Sequence, residues 1–342
     1  MRTMLYLNDR HLQAIGLDWE ALLDCIAGTI RITDSGDYAQ PIKPYLRYGE
    51  AANRIIAMPA YVGGTVQTAG LKWIASFPGN RSLGLPRAHS VVVLNEAATG
   101  APRAILNASL PSAARTAAVS GVLLRSYVQS RPAACPLRIG IIGFGPIGRL
   151  HYAMCSRILG KHLAEVQIYD TRDAALDDMR GAAPHDPLLA GSAALRDRTR
   201  LAQSWEALYA DCNVILTCTV SERRYIDRPP QPGSLLLDVS LRDYAASALE
   251  RVEAIVVDDW DEVCRENTDI ELLHHQRGLR KEQTRSLADV VCRDALAAFA
   301  PDAPVLFCPM GMAAFDIATA AYWVGQAQAR GIGYCLGDAD QG

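Results

Sequence analysis

The run Gly143-Phe144-Gly145-Pro146-Ile147-Gly148 constrains this chain more than any other feature. An apolar stretch, Leu137–Ile142, leads straight into it, and residues 150–159 behind it have helical periodicity. Strand, glycine turn and helix in that order predict the opening unit of a dinucleotide-binding domain. Each glycine has its own physical job. Gly143 allows the tight turn, Gly145 lets the backbone approach a pyrophosphate, and Gly148 lets helix and strand pack closely. The helix N-terminus offers free N–H groups and partial positive charge to phosphates, and Pro146 suits a first helical turn. The next strand-like run, 166–169, ends in Asp170. A carboxylate there accepts hydrogen bonds from ribose hydroxyls and repels a 2′-phosphate, which favours NAD over NADP. Arg172 has the opposite chemistry, because an arginine pairs with such a phosphate. A glycine turn in some other α/β domain is the competing reading.

Strand candidates recur downstream at 213–218, 234–239 and Ala254–Val257, with helical stretches at 289–300 and 313–329. Alternating strands and helices predict a mainly parallel sheet covered on both faces. Thr217-Cys218-Thr219 and Asp238-Val239-Ser240-Leu241 end two of these strands. Ligands in such sheets bind beyond the strands' carboxyl ends, so these residues are candidates for the nicotinamide half of the cofactor. Ordinary strand-end hydrogen bonding is the alternative for each.

Upstream the pattern is mixed. Residues 10–33 have helical periodicity through Leu12, Ile15, Leu22, Leu23, Ile26 and Ile30. Strand-like tracts follow at 45–48, 54–59, 70–74, 89–95 and 101–108, and the last two can form a hairpin through Glu96–Gly100. A small-residue helix over 112–129 is broken at Ser130-Arg131-Pro132. The expected fold class is α/β: a Rossmann domain plus an α+β domain. Gly and Asp at the C-terminus predict a mobile tail.

Composition excludes several classes of function. At 342 residues, 50% hydrophobic and 21% charged, the chain is ordinary globular material for about two domains. Lys and Arg number 34 against 37 Asp and Glu, without the basic excess of a nucleic-acid binder. No apolar run approaches the ~20 residues of a membrane span, and the N-terminus lacks a signal-peptide core. Nine cysteines without a C-x-x-C pair argue against a disulfide framework or a metal module. A cytoplasmic protein with no metal is expected.

Four ionisable residues stand in apolar or small-residue surroundings. Lys72 lies in Ala69-Gly70-Leu71-Lys72-Trp73-Ile74: either a strand-edge lysine pointing at water, or one desolvated in a pocket and able to act as a base. Arg115, in Ser112–Ala118, and Arg47, between Tyr45 and Tyr48, are either surface ion-pair partners or bidentate carboxylate clamps. Two such arginines near one lysine suit an amino-acid substrate. Asp316, in Gly311–Ala318, either stabilises a helix N-terminus or faces the cofactor or the lysine.

Together these segments resemble the ornithine cyclodeaminase/μ-crystallin family over nearly the whole chain. The resemblance is carried by Arg54–Ala60, Gly70-Leu71-Lys72, 94–100, Ser112–Ala118, Gly143–Gly148 and Gly311–Asp316. It implies a substrate and dimerisation domain built from residues 1–130 and 305–342, a Rossmann domain at 131–304, NAD as cofactor, and a homodimer. Lys72-Trp73-Ile74-Ala75-Ser76-Phe77-Pro78, Leu85-Pro86-Arg87-Ala88 and Val239–Asp243 are most similar to the branch that oxidises N-[(2S)-2-amino-2-carboxyethyl]-L-glutamate. That reaction releases 2,3-diaminopropionate, a unit of siderophores and peptide antibiotics, together with 2-oxoglutarate.

In that resemblance Lys72 and Asp243 are catalytic, and Arg47, Met58, Arg87 and Arg115 hold substrate. Thr116, Gly143, Gly145, Pro146, Ile147, Gly148, Asp170, Arg172, Thr219, Val239, Ser240, Leu241, Met312 and Asp316 line the cofactor. Family cyclodeaminases carry a catalytic aspartate in a glycine-rich loop. Here that loop reads Ser240-Leu241-Arg242-Asp243, and either Arg242 or Asp243 can match it. Ornithine or lysine cyclodeaminase, another amino-acid dehydrogenase or ketimine reductase, and a non-catalytic dinucleotide-binding protein are the alternatives.

Overall fold

A computed structural model describes residues 4–134, 136–172, 176–177, 179, 187–189 and 192–337. The C-terminal tail expectation and Cys135 lie outside them. In chain order the first elements are β1 (Met4–Leu7), α1 (Asp9–Ile15), α2 (Trp19–Asp34), β2 (Tyr38–Ala39), β3 (Tyr45–Leu46), β4 (Arg54–Val62), β5 (Thr68–Ser76), β6 (Ala88–Glu96), β7 (Pro102–Asn107) and α3 (Ser109–Ser130). Then come β8 (Leu137–Ile142), α4 (Pro146–Ile158), β9 (Leu163–Tyr169), β10 (Thr199–Leu201), α5 (Trp205–Asp211), β11 (Val214–Thr217), β12 (Leu235–Asp238), β13 (Ala254–Val257), α6 (Trp260–Val263) and α7 (Asp269–Arg277). The last are β14 (Arg285–Ser286), α8 (Leu287–Arg293), β15 (Val305–Cys308), α9 (Ala313–Arg330) and β16 (Tyr334–Leu336).

The chain forms two compact units, Met1–Arg115 with Met312–Gly342, and Thr116–Gly311. The boundaries differ from 130/131 and 304/305 for two physical reasons. Helix α3 runs unbroken across the observed boundary at 115/116 and ends at Ser130. At the second, β15 pairs with β12 and β13 and so belongs to the middle unit's sheet.

The terminal unit holds an eight-stranded sheet in the order β16-β1-β7-β6-β5-β4-β2, with β3 on β4. Its pairings are antiparallel except β1 with β7. The row Met58, Lys72, Val92 and Leu106 crosses four strands on the face that α9 covers. Helix α9 packs in turn on α2, whose Leu22, Leu23, Ile26 and Ile30 are buried. The helical pattern at 10–33 is two helices, not one. Gly16, at φ 79°, ends α1, and the Asp18 side chain caps α2 through Ala21 N.

The middle unit is an eight-stranded, all-parallel sheet in the order β10-β9-β8-β11-β12-β15-β13-β14. Strands β11, β12, β13 and β15 are buried at every position, as a sheet covered on both faces requires. The carboxyl ends of β8, β11 and β12 bring the glycine turn, Thr219 and the 239–243 loop to one end of this sheet.

Candidate active site

In the terminal unit the site begins at Lys72, in the middle of β5. That strand lies between β4 and β6, so Lys72 is interior to the sheet and only 1% exposed. Its Nζ donates to Asp316 Oδ2 at 2.7 Å and to Ser112 Oγ at 3.3 Å. Arg115 Nε donates to the other oxygen, Asp316 Oδ1, at 2.8 Å. Asp316 lies in the first turn of α9, where its charge also suits the helix dipole. A Cβ on Gly70 would meet the Val93 carbonyl oxygen at 2.5 Å and Ile317 Cδ1 of α9 at 2.9 Å, so a larger residue there would collide with the backbone of β6.

Burial pushes the Lys72 ammonium down, and the charges of Arg115 and Lys43 push it further. The Asp316 carboxylate opposes them, and the result is a value of about 7. Burial alone would raise Asp316, but the positive charges of Arg115 and Lys72 outweigh it and hold its carboxyl below the ordinary aspartate value. The site thus presents an amine poised to exchange a proton near neutral pH beside a carboxylate that stays ionised.

Lys43 was not singled out by the sequence reading, yet it is 3% exposed and its charge acts on Lys72. The sequence signal is a lysine held between two prolines in Pro41-Ile42-Lys43-Pro44. Met58 is buried directly across the ladder from Lys72. Arg47 is exposed, its guanidinium 5.3 Å from the Tyr45 ring. Arg87 lies just before β6, its carbonyl accepting Phe77 N at 2.9 Å. Met312 is the buried N-cap residue of α9.

The middle unit carries the second group. Gly143 has φ 93°, and a Cβ there would lie 2.6 Å from Cys218 O. A Cβ on Gly148 would lie 2.1 Å from Gly143 O, whereas one on Gly145 would meet nothing within 4 Å. The first and third glycines are thus fixed by close packing, and the second borders open space. Gly145 is the N-cap of α4 and Pro146 its first residue, with no side chain capping the first-turn amides. Ile147 and Thr116 lie on α4 and α3, each partly buried. Asp170 Oδ2 accepts Phe144 N at 2.7 Å, and Arg172 donates to the same carboxylate. These residues fit NAD: a glycine cradle, uncapped helix amides for the pyrophosphate, and a carboxylate for the ribose.

In the loop after β12, the Arg242 and Asp243 side chains have different partners. The Arg242 guanidinium donates to Glu266 O at 2.7 and 3.2 Å. The Asp243 carboxylate, buried, accepts the hydroxyls of Thr219 and Ser240. Thr219 N in turn donates to Ser240 Oγ at 3.1 Å. Of the two, Asp243 is the one held against Thr219 and Ser240. Leu241 takes the left-handed conformation, φ 68°, that glycine would adopt without strain. That costs roughly 1–2 kcal/mol, and burying the leucine side chain contributes roughly 1.5–3 kcal/mol, so packing offsets the strain.

Two further carboxylates hold the loop. Asp238 Oδ1 accepts Leu241 N at 3.0 Å and Thr217 Oγ1 at 3.1 Å. Asp269 Oδ2 accepts the amides of Asp243 and Tyr244 at 3.0 and 2.9 Å, and Arg224 Nε donates to its Oδ1 at 2.6 Å. Burial, then the charges of Asp269 and Asp243, raise Asp238 well above the ordinary range; burial raises Asp269 to about 6. Among the described residues no group of three or more His, Cys, Asp or Glu side chains is arranged to hold a metal, and no helix is long and apolar enough to cross a membrane.

A parallel sheet with a glycine cradle and a separate unit presenting a buried lysine define an NAD-dependent oxidoreductase. The chain belongs to the ornithine cyclodeaminase/mu-crystallin family, whose model matches residues 11–330. It is 32% identical, over 98% of both chains, to N-((2S)-2-amino-2-carboxyethyl)-L-glutamate dehydrogenase of Staphylococcus aureus (strain NCTC 8325 / PS 47). The crystal structure of CmnK superposes with TM-score 0.80 at 26% identity, covering 99% of each chain. An archaeal alanine dehydrogenase dimer with bound NAD shares the fold, with TM-score 0.74 at 21% identity over 98% of this chain and 100% of the other.

Proposed function

We propose that this protein oxidises N-[(2S)-2-amino-2-carboxyethyl]-L-glutamate with NAD⁺, giving 2,3-diaminopropionate, 2-oxoglutarate and NADH. The observation that carries the reading is the buried Lys72–Asp316–Arg115 group, with Lys43 acting on the same lysine. Arg115 and Lys72 share one carboxylate there, with the charge of Lys43 acting on Lys72, a basic surrounding that suits a substrate with several carboxylates. Full-length similarity to the staphylococcal dehydrogenase supports the choice of substrate.

NAD⁺, when bound, supplies the hydride acceptor. Neutral Lys72 takes the proton from the substrate's secondary ammonium, freeing the nitrogen lone pair. That lone pair assists departure of the hydride from the glutamyl Cα and leaves a C=N bond. Water adds to the imine carbon and gives up a proton to a base, again Lys72 once it has released its first proton. The carbinolamine then loses the amine, and the C–N bond breaks to leave the keto acid. Ionised Asp316 stabilises the lysine's protonated state without competing for the proton. Arg115 and Lys43 hold carboxylates and fix Cα–H, a positioning role. Asp243 orients the Thr219 and Ser240 hydroxyls at the strand ends where the nicotinamide half would bind.

The protein acts as a homodimer in this reading. On the sheet face of the terminal unit opposite α9, Leu71, Val91, Val93 and Ile105 are partly exposed and Trp73 is 40% exposed. An apolar sheet face of this kind calls for a partner, and a second copy supplies a matching one.

The test is NADH absorbance with purified protein, NAD⁺ and the proposed substrate, with ornithine in parallel. NADH matched by 2-oxoglutarate supports the reading. Proline and ammonia from ornithine without NADH would replace it with cyclodeaminase activity.

A further inference from the structure

The Asp170 carboxylate is filled before any ribose reaches it. Its Oδ1 accepts Arg172 N at 2.9 Å and Arg172 Nε at 3.1 Å. Its Oδ2 accepts Phe144 N at 2.7 Å and Arg172 Nη2 at 3.1 Å. An ionised carboxylate offers about four acceptor positions, so all are in use. The two side chains are unequal: that of Asp170 is 6% exposed and that of Arg172 50%. The carboxylate is fixed under the turn, while the guanidinium is half-exposed at the surface. The neighbouring Arg149 is engaged elsewhere, its Nε donating to Phe144 O at 3.3 Å and its guanidinium 5.4 Å from the Phe144 ring.

A bare aspartate at the end of this strand accepts a ribose diol and repels a 2′-phosphate. Here the repelling charge is cancelled by a guanidinium that reads phosphate as well as it reads carboxylate. We propose that Arg172 opens the adenosine end of this site to 2′-phosphorylated dinucleotides, so that the protein binds NADP(H) as well as NAD(H), and that Arg172 sets the ratio between them. With NAD(H), the ribose hydroxyls take the place of the guanidinium on Asp170, and Arg172 turns outward. With NADP(H), the same outward guanidinium meets the 2′-phosphate, while Asp170 keeps its bonds to the amides of Phe144 and Arg172. The arginine thus competes weakly with one cofactor and pairs with the other.

This inference rests on the reading of the middle unit as a dinucleotide site but not on the substrate. It is tested by titrating the full-length protein with NADH and with NADPH and following the rise in nicotinamide fluorescence. The wild type is expected to bind both. A charge-assisted pair contributes roughly 1.5–3 kcal/mol, so Arg172→Ala is expected to weaken NADPH by roughly 10–100-fold. NADH binding should stay equal or tighten, because its competitor for Asp170 is gone. Arg172→Lys keeps the charge without the planar fork and should fall between. Unchanged melting temperatures would show that the half-exposed substitutions leave the fold intact. Saturation by NADH with no NADPH binding at a hundredfold higher concentration would overturn the inference and leave the NAD site standing. So would an alanine variant that shifts both nucleotides by the same factor. Failure of both nucleotides to bind the wild type would overturn the inference and the dinucleotide site together.

Discussion

Lys72 and Asp316 form a 2.7 Å ion pair between residues 244 positions apart, and neither side chain is more than 2% exposed. Breaking a buried pair leaves an uncompensated charge, which costs roughly 3–5 kcal/mol. The pair therefore ties the C-terminal helix α9 to the sheet of the terminal unit as well as setting the state of the lysine. Replacing Lys72 with Met, of similar length and no charge, should remove turnover while NADH still binds. Stopped-flow turnover and nucleotide titration on the same preparation check this, and normal turnover would reject Lys72 as the base.

The base form of Lys72 must be neutral, and its value is held down to about 7. Activity limited by that deprotonation should rise with pH through about 7 and then level. Lys43 is one of the positive charges holding the value down, so Lys43→Met should move this limb to higher pH. Asp316 acts in the opposite sense, so Asp316→Asn should move it lower in whatever fraction folds. A pH profile of kcat/KM for the three proteins gives the signs directly.

Much of the Rossmann unit was legible because its signals are local. The apolar run Leu137–Ile142 and the glycine turn were read with the bounds they have, and so was Ala254–Val257. The Gly16 and Asp18 signals that split the first helix were present but outweighed by the apolar periodicity on both sides of them. Other features are set by partners distant in sequence. Strand β1 exists through its parallel pairing with β7 and its antiparallel pairing with β16, a strand of three exposed residues. The place of β15 between β12 and β13 is likewise a matter of sheet order. Lys72 read equally well as a surface lysine, because what buries it is α9, and Asp316 comes from the far end of the chain.

Burial raises Asp238 well above the ordinary aspartate range and Asp269 to about 6. The native state then binds more protons than the unfolded chain above the ordinary aspartate value of 3.8. Stability from this source is lost as pH rises through the native values. Asparagine mimics the protonated form, so Asp238→Asn should melt close to the wild type near pH 5 and above it near pH 9, by on the order of 1 kcal/mol. Thermal melts across that range check it, and a variant less stable at high pH would contradict it.

A Cβ on Gly148 would stand 2.1 Å from the Gly143 carbonyl oxygen. The obstacle is backbone and cannot swing aside, so Gly148→Ala should open the turn between β8 and α4. NADH affinity is expected to fall at least tenfold, with loss of stability, as isothermal titration and melting would record. Unchanged affinity would remove the turn from the cofactor site.

If the apolar sheet face around Trp73 is covered by a second copy, Trp73→Glu should yield monomers in light scattering at concentrations where the wild type is a dimer. A monomeric wild type would refute the assembly.

The most direct test uses substrate carrying deuterium at the glutamyl Cα. The expected result is NADH that carries the deuterium, formed in equal amount with unlabelled 2-oxoglutarate and 2,3-diaminopropionate. Unlabelled NADH, or labelled substrate consumed without NADH, would contradict hydride transfer from that carbon and with it the proposed reaction.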